Sequence, residues 1–195
     1  MNILLLNSAK DFGHSHGKLN DSLHEVAKDF LLKNGVKVSE CHIDDGYDAA
    51  AEAEKFAAAD VVIHQIPIWW MSAPWITKKY MDEVFTVGYG KLYESDGRTR
   101  SDSSKKYGSG GLLHGKKYLF SVTWNAPLEA FTDPKQLFEG KGIDAVLFPL
   151  HKAHQFLGME ALPTFMCNDV IKDPHFDQYK ADYEQHLAKV LQSLS

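Results

Sequence analysis

The chain has 195 residues, of which 44% are hydrophobic and 24% charged, with a net charge of −5. Those proportions suit one soluble globular domain, residues 1–195, with enough apolar material for its own core. The acidic balance argues against a nucleic-acid binder, which needs a concentrated basic face, and no apolar run approaches the length of a membrane span. From the N-terminus, Ile3 to Leu6 is a continuous apolar run, as in a central parallel strand. Leu19, Leu23, Val26, Ala27 and Phe30 then recur at spacings of three and four, which predicts a helix ended by Asn34-Gly35. Val36 to Ile43 reads as a second strand, and Ala49 to Ala58 as an Ala- and Glu-rich helix. Val61 to Ile66 reads as a third strand stopped by Pro67, followed by a helix over Ile76 to Phe85.

A polar stretch from about Gly88 to Gly115 interrupts the pattern and reads as a long loop excursion from the one domain. Tyr118 to Thr123 is the fourth predicted strand. Ile143, Leu147, Leu150, His154 and Leu157 have helical spacing, with Pro149 placed to kink that helix or shift its start. Leu162 to Cys167 is a short fifth strand, and Tyr179 to Leu194 a final amphipathic helix. Alternating strands and helices imply an α/β fold with a parallel sheet covered on both faces. MNILLLNSAK lacks the charged leader, long apolar stretch and small-residue cleavage site of a signal peptide. Cys41 and Cys167 stand far apart without CxxC spacing, so they read as buried free thiols in a reducing, cytoplasmic compartment.

Ligands of such sheets bind beyond the carboxyl ends of the strands. That rule selects three loops. The first, Asn7 to Lys18, leads into a helix N-terminus, whose free N–H groups and dipole suit a phosphate. The alternative is that Ser15 or Asn20 only caps the helix. Neither GxxxxGK[ST] nor GxGxxG is present. His14 and His16 are two apart in a turn without a Cys or carboxylate partner pattern, so no metal site is expected. The second loop, Pro67 to Trp75, carries Trp69, Trp70 and Trp75. Adjacent strand residues point to opposite faces, so Trp69 and Trp70 belong in a turn, either as a platform for a flat ligand or as core or interface aromatics. The third, Trp124 to Phe131, adds an indole and Asn125, to meet a heteroaromatic edge or simply to make a turn. Together the loops suit a flavin better than a nicotinamide.

The segments NSAKDFGHSHGKLNDSL, PIWWMSAPWITKKYMDEVFT, SDGRTRSDSSKKYGSGG, SVTWNAP and HKAHQFLGMEALPTF together resemble the MdaB (modulator of drug activity B) family of bacterial NADPH:quinone reductases. The resemblance implies a flavodoxin-like three-layer sandwich with a five-stranded parallel sheet of order 2-1-3-4-5. It implies a homodimer holding FAD that passes hydride from NADPH to a quinone by two-electron ping-pong transfer. It places cofactor contacts on Ser15, His16, Gly17, Lys18, Leu19, Asn20, Asp21 and Ser22, with others on Ile68, Trp69, Trp70 and Met71, on Tyr107, and on Thr123, Trp124, Asn125 and Ala126. Phe12 would sandwich the ring or pack in the core. No catalytic residue is assigned; His151 and His154 are weighed as proton donors against satisfied helix histidines. Arg98, Arg100, Lys105 and Lys106 either meet adenosine phosphates or form a solvated loop face. The competing readings are a one-electron carrier of flavodoxin type and a nitro- or azo-reductase using the same flavin chemistry.

Overall fold

The computed structural model describes residues 1–194. Its main sheet is parallel. Strands β1 (Asn2–Asn7), β2 (Lys37–His42), β3 (Val61–Pro67) and β4 (Lys117–Thr123) lie in the order β2-β1-β3-β4. Two short pieces, β5 (Glu160–Ala161) and β6 (Phe165–Cys167), both pair with β4 and complete the 2-1-3-4-5 order. The predicted strand Leu162 to Cys167 is thus broken. Pro163 stands in the gap, where a residue without an N–H cannot join the ladder.

Helices α1 (Lys18–Lys33) and α7 (Phe176–Ser193) cover one face, where Leu23, Ala27, Leu31, Tyr183 and Leu187 pack on Ile3, Leu5, Ile63 and Leu119. Helices α2 (Ala49–Ala58), α3 (Trp75–Val87) and α6 (Phe148–Phe156) cover the other, where Phe56, Tyr80, Val84 and Leu150 pack on Leu4, Leu6, Val62 and Phe120. Consecutive residues of β1 therefore serve opposite cores, and this is why the strand reads as an unbroken apolar run. Gly35, at φ +74, ends α1 as expected, with the Val36 N–H returning to the Leu31 carbonyl. Asp48 caps α2 by accepting the Ala51 N–H at 2.8 Å.

Two further short helices, α4 (Glu129–Thr132) and α5 (Gly142–Val146), follow β4, and α4 was not foreseen. The single helix expected over 143–157 is broken at Leu147. Pro149 lies in the first turn of α6, where its missing N–H costs nothing.

The stretch 88–115 has neither helix nor named strand, but it is tied down. Leu112 N–H donates to Leu92 O at 2.9 Å, Leu113 N–H to Leu157 O at 2.9 Å, and Glu94 N–H to Gly110 O at 2.9 Å. At Gly111 a β-carbon would lie 2.2 Å from the Leu157 carbonyl carbon, so backbone passes over backbone there. Gly111→Ala is therefore expected to destabilise the fold by roughly 1–3 kcal/mol. Urea unfolding checks this; a midpoint equal to the parent's would show that the excursion does not depend on that crossing.

Candidate active site

The main strands end level. Asn7 is opposite Gln65, Pro67 opposite Thr123, and Thr123 opposite Cys167. Their loops enclose a cleft of about 610 Å³, inside the range of small-molecule sites. Its wall includes Ser15, His16, Gly17, Lys18, Leu19, Asn20, Ile68, Trp69, Trp70, Thr123, Trp124 and Asn125 from the expected set. Asp21, Ser22, Met71, Tyr107 and Ala126 are not on it. Phe12, Gly13, His14, Pro67, Val170 and Ile171 complete the wall.

The first loop folds back as a small hairpin pairing Asp11 with His16 and Phe12 with Ser15. Gly17 then turns the chain into α1 at φ +72, and no side chain caps the helix. Neither Ser15 nor Asn20 is a cap, so the first-turn N–H groups stand at the cleft without a side-chain acceptor. Asn20 instead turns inward. Its Nδ2 donates to Thr123 Oγ1 at 3.0 Å and its Oδ1 accepts from Gln65 Nε2 at 2.8 Å. All three residues are buried, and they join α1, β3 and β4 beneath the cleft. Asp21 accepts from Asn7 Nδ2 at 2.8 Å. Asn7 Oδ1 in turn holds the Ala9 N–H at 2.8 Å, which anchors the start of the loop.

In the second loop Trp69 and Ser72 exchange backbone hydrogen bonds of 2.8 and 3.1 Å around Trp70 and Met71. Both central residues have positive φ, 45° and 66°, which two-residue turns normally reserve for Asn or Gly. The turn separates the two indoles. Trp69 is half-buried, with its ring 5.3 Å from Phe12 and 5.7 Å from Trp75. Trp70 is 95% exposed at the rim. Phe12 is 55% exposed and stacks edge-on against Trp75 at 4.8 Å, so it is a cleft aromatic and not a core residue.

In the third loop the Trp124 N–H is committed to Cys167 O at 3.0 Å. Asn125 Oδ1 accepts from the N–H groups of Ile171 and Lys172 at 3.1 and 3.2 Å, which ties 168–172 to this side of the cleft. That last segment follows the carboxyl end of β6, and sequence reasoning missed it. The strand-end rule, which selects the loops after the first, third and fourth strands, holds equally for the fifth. Burial pushes the adjacent Cys167 thiol up to about 12, so it is no nucleophile.

Two expected features lie elsewhere. His151 and His154 are buried under α6 and are not cleft residues. His154 Nδ1 donates to Leu150 O at 2.8 Å, and His151 is bonded to Tyr118 and Asp144. They are satisfied helix histidines. The basic stretch stays on the excursion, where Arg98 pairs with Asp96 and lies over the Tyr107 ring at 5.3 Å.

A flat ring between Phe12, Trp69 and Trp70 on one side and Thr123 to Asn125 on the other, with phosphates at the start of α1, fits these residues. A parallel sheet with that cleft at its carboxyl edge is the arrangement of flavodoxin-like proteins. Residues 1–187 match the flavodoxin-like fold family, and the chain belongs to that family. It is 57% identical over 190 residues to the NADPH:quinone oxidoreductase MdaB of Haemophilus influenzae, covering 97% of this chain and 99% of that protein. The resemblance carried by the quoted motifs is thereby borne out. Among solved structures it is similar to a candidate quinone reductase from Klebsiella pneumoniae, with a TM-score of 0.75 and 26% identity over 100% of this chain and 85% of that one. It is also similar to general stress protein 14 of Treponema denticola, solved with FMN, with a TM-score of 0.68 over 100% of this chain and 99% of that one. At 22% identity, that likeness speaks for the fold alone.

Proposed function

We propose that this chain is a flavin-dependent NADPH:quinone oxidoreductase that holds FAD and acts as a homodimer in the cytoplasm. The observation that carries the reading is 57% identity, along nearly the whole chain, to an enzyme of that name. The aromatic cleft above an uncapped helix start supports it. In this reading the N–H groups of Lys18 to Asn20, with Ser15 to Ser22 around them, hold the pyrophosphate. Ile68, Trp69, Trp70 and Met71 hold the ring on one side, and Thr123 to Ala126 line its polar edge. Both cysteines are buried free thiols, in keeping with a reducing compartment.

The bound flavin supplies hydride acceptance and donation. The chain orients it and shields it. Phe12, Trp69 and Trp70 exclude water from one face, and NADPH and the quinone take turns beside the ring. With the Trp124 N–H spent on Cys167, the Asn125 N–H and Nδ2 are the donors this loop's cleft wall offers to negative charge at the ring edge. Tyr107 is 69% exposed and stands off this chain's cleft; in the homodimer reading it is available to the flavin of a partner subunit. The exposed Trp70, Met71 and Ile171 at the cleft rim suit the same interface.

Purified protein is expected to be yellow, to release FAD on denaturation, to bleach with NADPH under argon and to recolour with menadione. Colourless protein that takes up neither FAD nor FMN overturns the reading, and released FMN overturns FAD alone. Light scattering should give twice the 21.9 kDa chain mass. Trp69→Ala is expected to weaken flavin binding about tenfold, the worth of one well-stacked ring. Affinity equal to the parent's would make Trp69 a packing residue for Phe12 and Trp75 only.

A further inference from the structure

Away from the cleft, His24, Glu25, Glu40 and His42 gather between α1 and β2, and one ligand atom from each lies within 4.8 Å of all the others. Glu40 and His42 are two apart on β2 and so share a face. His24 meets them from α1. Its ring is only 1% exposed, its Nε2 is 3.1 Å from Glu40 Oε2, and its centroid is 4.5 Å from that of His42. Two imidazoles and a carboxylate form the ligand set of a borderline divalent ion, not of Mg²⁺ or Ca²⁺, which take oxygen.

We propose that His24, Glu40 and His42 bind a divalent transition-metal ion of the Zn²⁺ class, with Glu25 or water as the fourth ligand. With bonds of about 2.0–2.2 Å, a tetrahedral site has ligand atoms roughly 3.3–3.5 Å apart. The His24–Glu40 pair already spans one such edge. The remaining groups need to close by little more than about 1 Å, and Glu40, His42 and Glu25 are each half-buried or exposed and free to turn. The contact of His42 Nδ1 with Asn7 Nδ2 is long, at 3.3 Å, and yields readily, since Asn7 keeps its 2.8 Å bond to Asp21.

The Lys28 ammonium now fills the cationic role. Its Nζ is 2.9 Å from Glu40 Oε1 and 3.7 Å from Glu25 Oε2. It stands on a flexible, partly exposed stem, so an ion can displace it and leave it in water. The three ligands come from two consecutive elements, α1 and β2, and meet only when the strand folds back beside the helix; His14 and His16, the pair that stands out in the sequence, are not among them.

Chelator-washed, flavin-loaded protein titrated with Zn²⁺ by calorimetry is expected to bind one equivalent at micromolar affinity or tighter. Co²⁺ should give the visible bands of a low-coordinate site, and millimolar Mg²⁺ should not compete. His24→Ala risks the fold, so the deciding variants are His42→Ala and Glu40→Gln, each expected to weaken Zn²⁺ at least tenfold. Lys28→Met should tighten it, and His175→Ala, at an exposed histidine elsewhere, should leave it unchanged. Zn²⁺ binding no stronger than millimolar, or binding that survives both deciding variants, overturns the site. These readouts do not involve flavin chemistry, so their failure is separate from failure of the functional reading.

Discussion

Gly17→Val is expected to weaken flavin binding about a hundredfold while lowering the melting temperature by only a few degrees. Gly17 precedes α1 at φ +72, in the left-handed region where an L side chain costs roughly 1–2 kcal/mol and a β-branched one more. A β-carbon there would be 3.2 Å from Ala9 Cβ, 3.4 Å from Lys10 N and 3.5 Å from Asp21 Oδ2. The first loop must therefore shift or the helix must start differently. Either change moves the first-turn N–H groups, which a phosphate needs in one fixed arrangement. A fold cost of about 2 kcal/mol for the β-branched side chain lowers the melting temperature of a chain this size by several degrees. A hundredfold loss of affinity, about 2.7 kcal/mol, is the larger effect because it lands where the ligand binds. Gly17→Ala should sit between the parent and Gly17→Val. Fluorescence titration of the apo forms with FAD checks the series. Parent-like affinity in both variants would mean that the start of α1 is not the phosphate cradle.

The layer order was legible because it depends on local pattern. Ile3 to Leu6 and Val61 to Ile63 are unbroken apolar runs, which only a sheet buried on both faces requires. The strand-end rule then located most of the cleft, since Gly17, Trp69 and Thr123 all follow or end such runs. What stayed hidden depends on partners distant in sequence. Nothing local shows that Asn20 would bond Gln65 and Thr123 at the base of the cleft instead of capping its helix. Likewise, Trp69 and Trp70 look equivalent in sequence, and only the positive φ of Trp70 puts one in the aromatic cluster and the other at the rim. The break of the 143–157 helix was announced by Pro149 but not its position, because Pro is as well placed in a first turn as it is disruptive further in. His64 and Gln65 are two buried polar residues that interrupt the apolar run of β3. Each marks a buried hydrogen-bond partnership on its own face of the sheet.

Between pH 7 and pH 5 the fold is expected to lose about 2 kcal/mol through His154 alone, with its partner His64 adding to the loss. Both rings are fully buried, 2.9 Å apart between their Nε2 atoms, and enclosed by Phe56, Phe120 and Tyr118. Their protons are dictated by their partners. The Leu150 carbonyl can only accept, so His154 Nδ1 carries a hydrogen and its Nε2 is bare. His64 Nε2 must then donate, and His64 Nδ1 is left bare with no partner among the described residues. A further proton has no good place. On His154 it sets two N–H groups head to head, and on His64 it is buried without an acceptor. Burial holds His154 down at about 4 and His64 well below the usual 6.5. His151, a helical turn away and bonded to Tyr118 and Asp144, adds repulsion if it charges. In the unfolded chain both rings titrate near 6.5, so below that pH the unfolded state binds more protons and stability rises with pH. The contribution is whole above about 6.5 and is lost progressively as the pH falls toward 4. Carboxylates held low by their partners, Glu40 and Asp144 among them, add their losses further down, while burial also holds His24 and His186 low, so these two rings share the pH 5 to 7 window with the pair. Urea unfolding across that window reads the slope. The double variant His64→Phe with His154→Leu keeps the site filled and removes both bases, so its slope over the same range should be clearly shallower, with the remainder left to His24 and His186. A slope that persists undiminished in that variant places the titrating groups outside this pair.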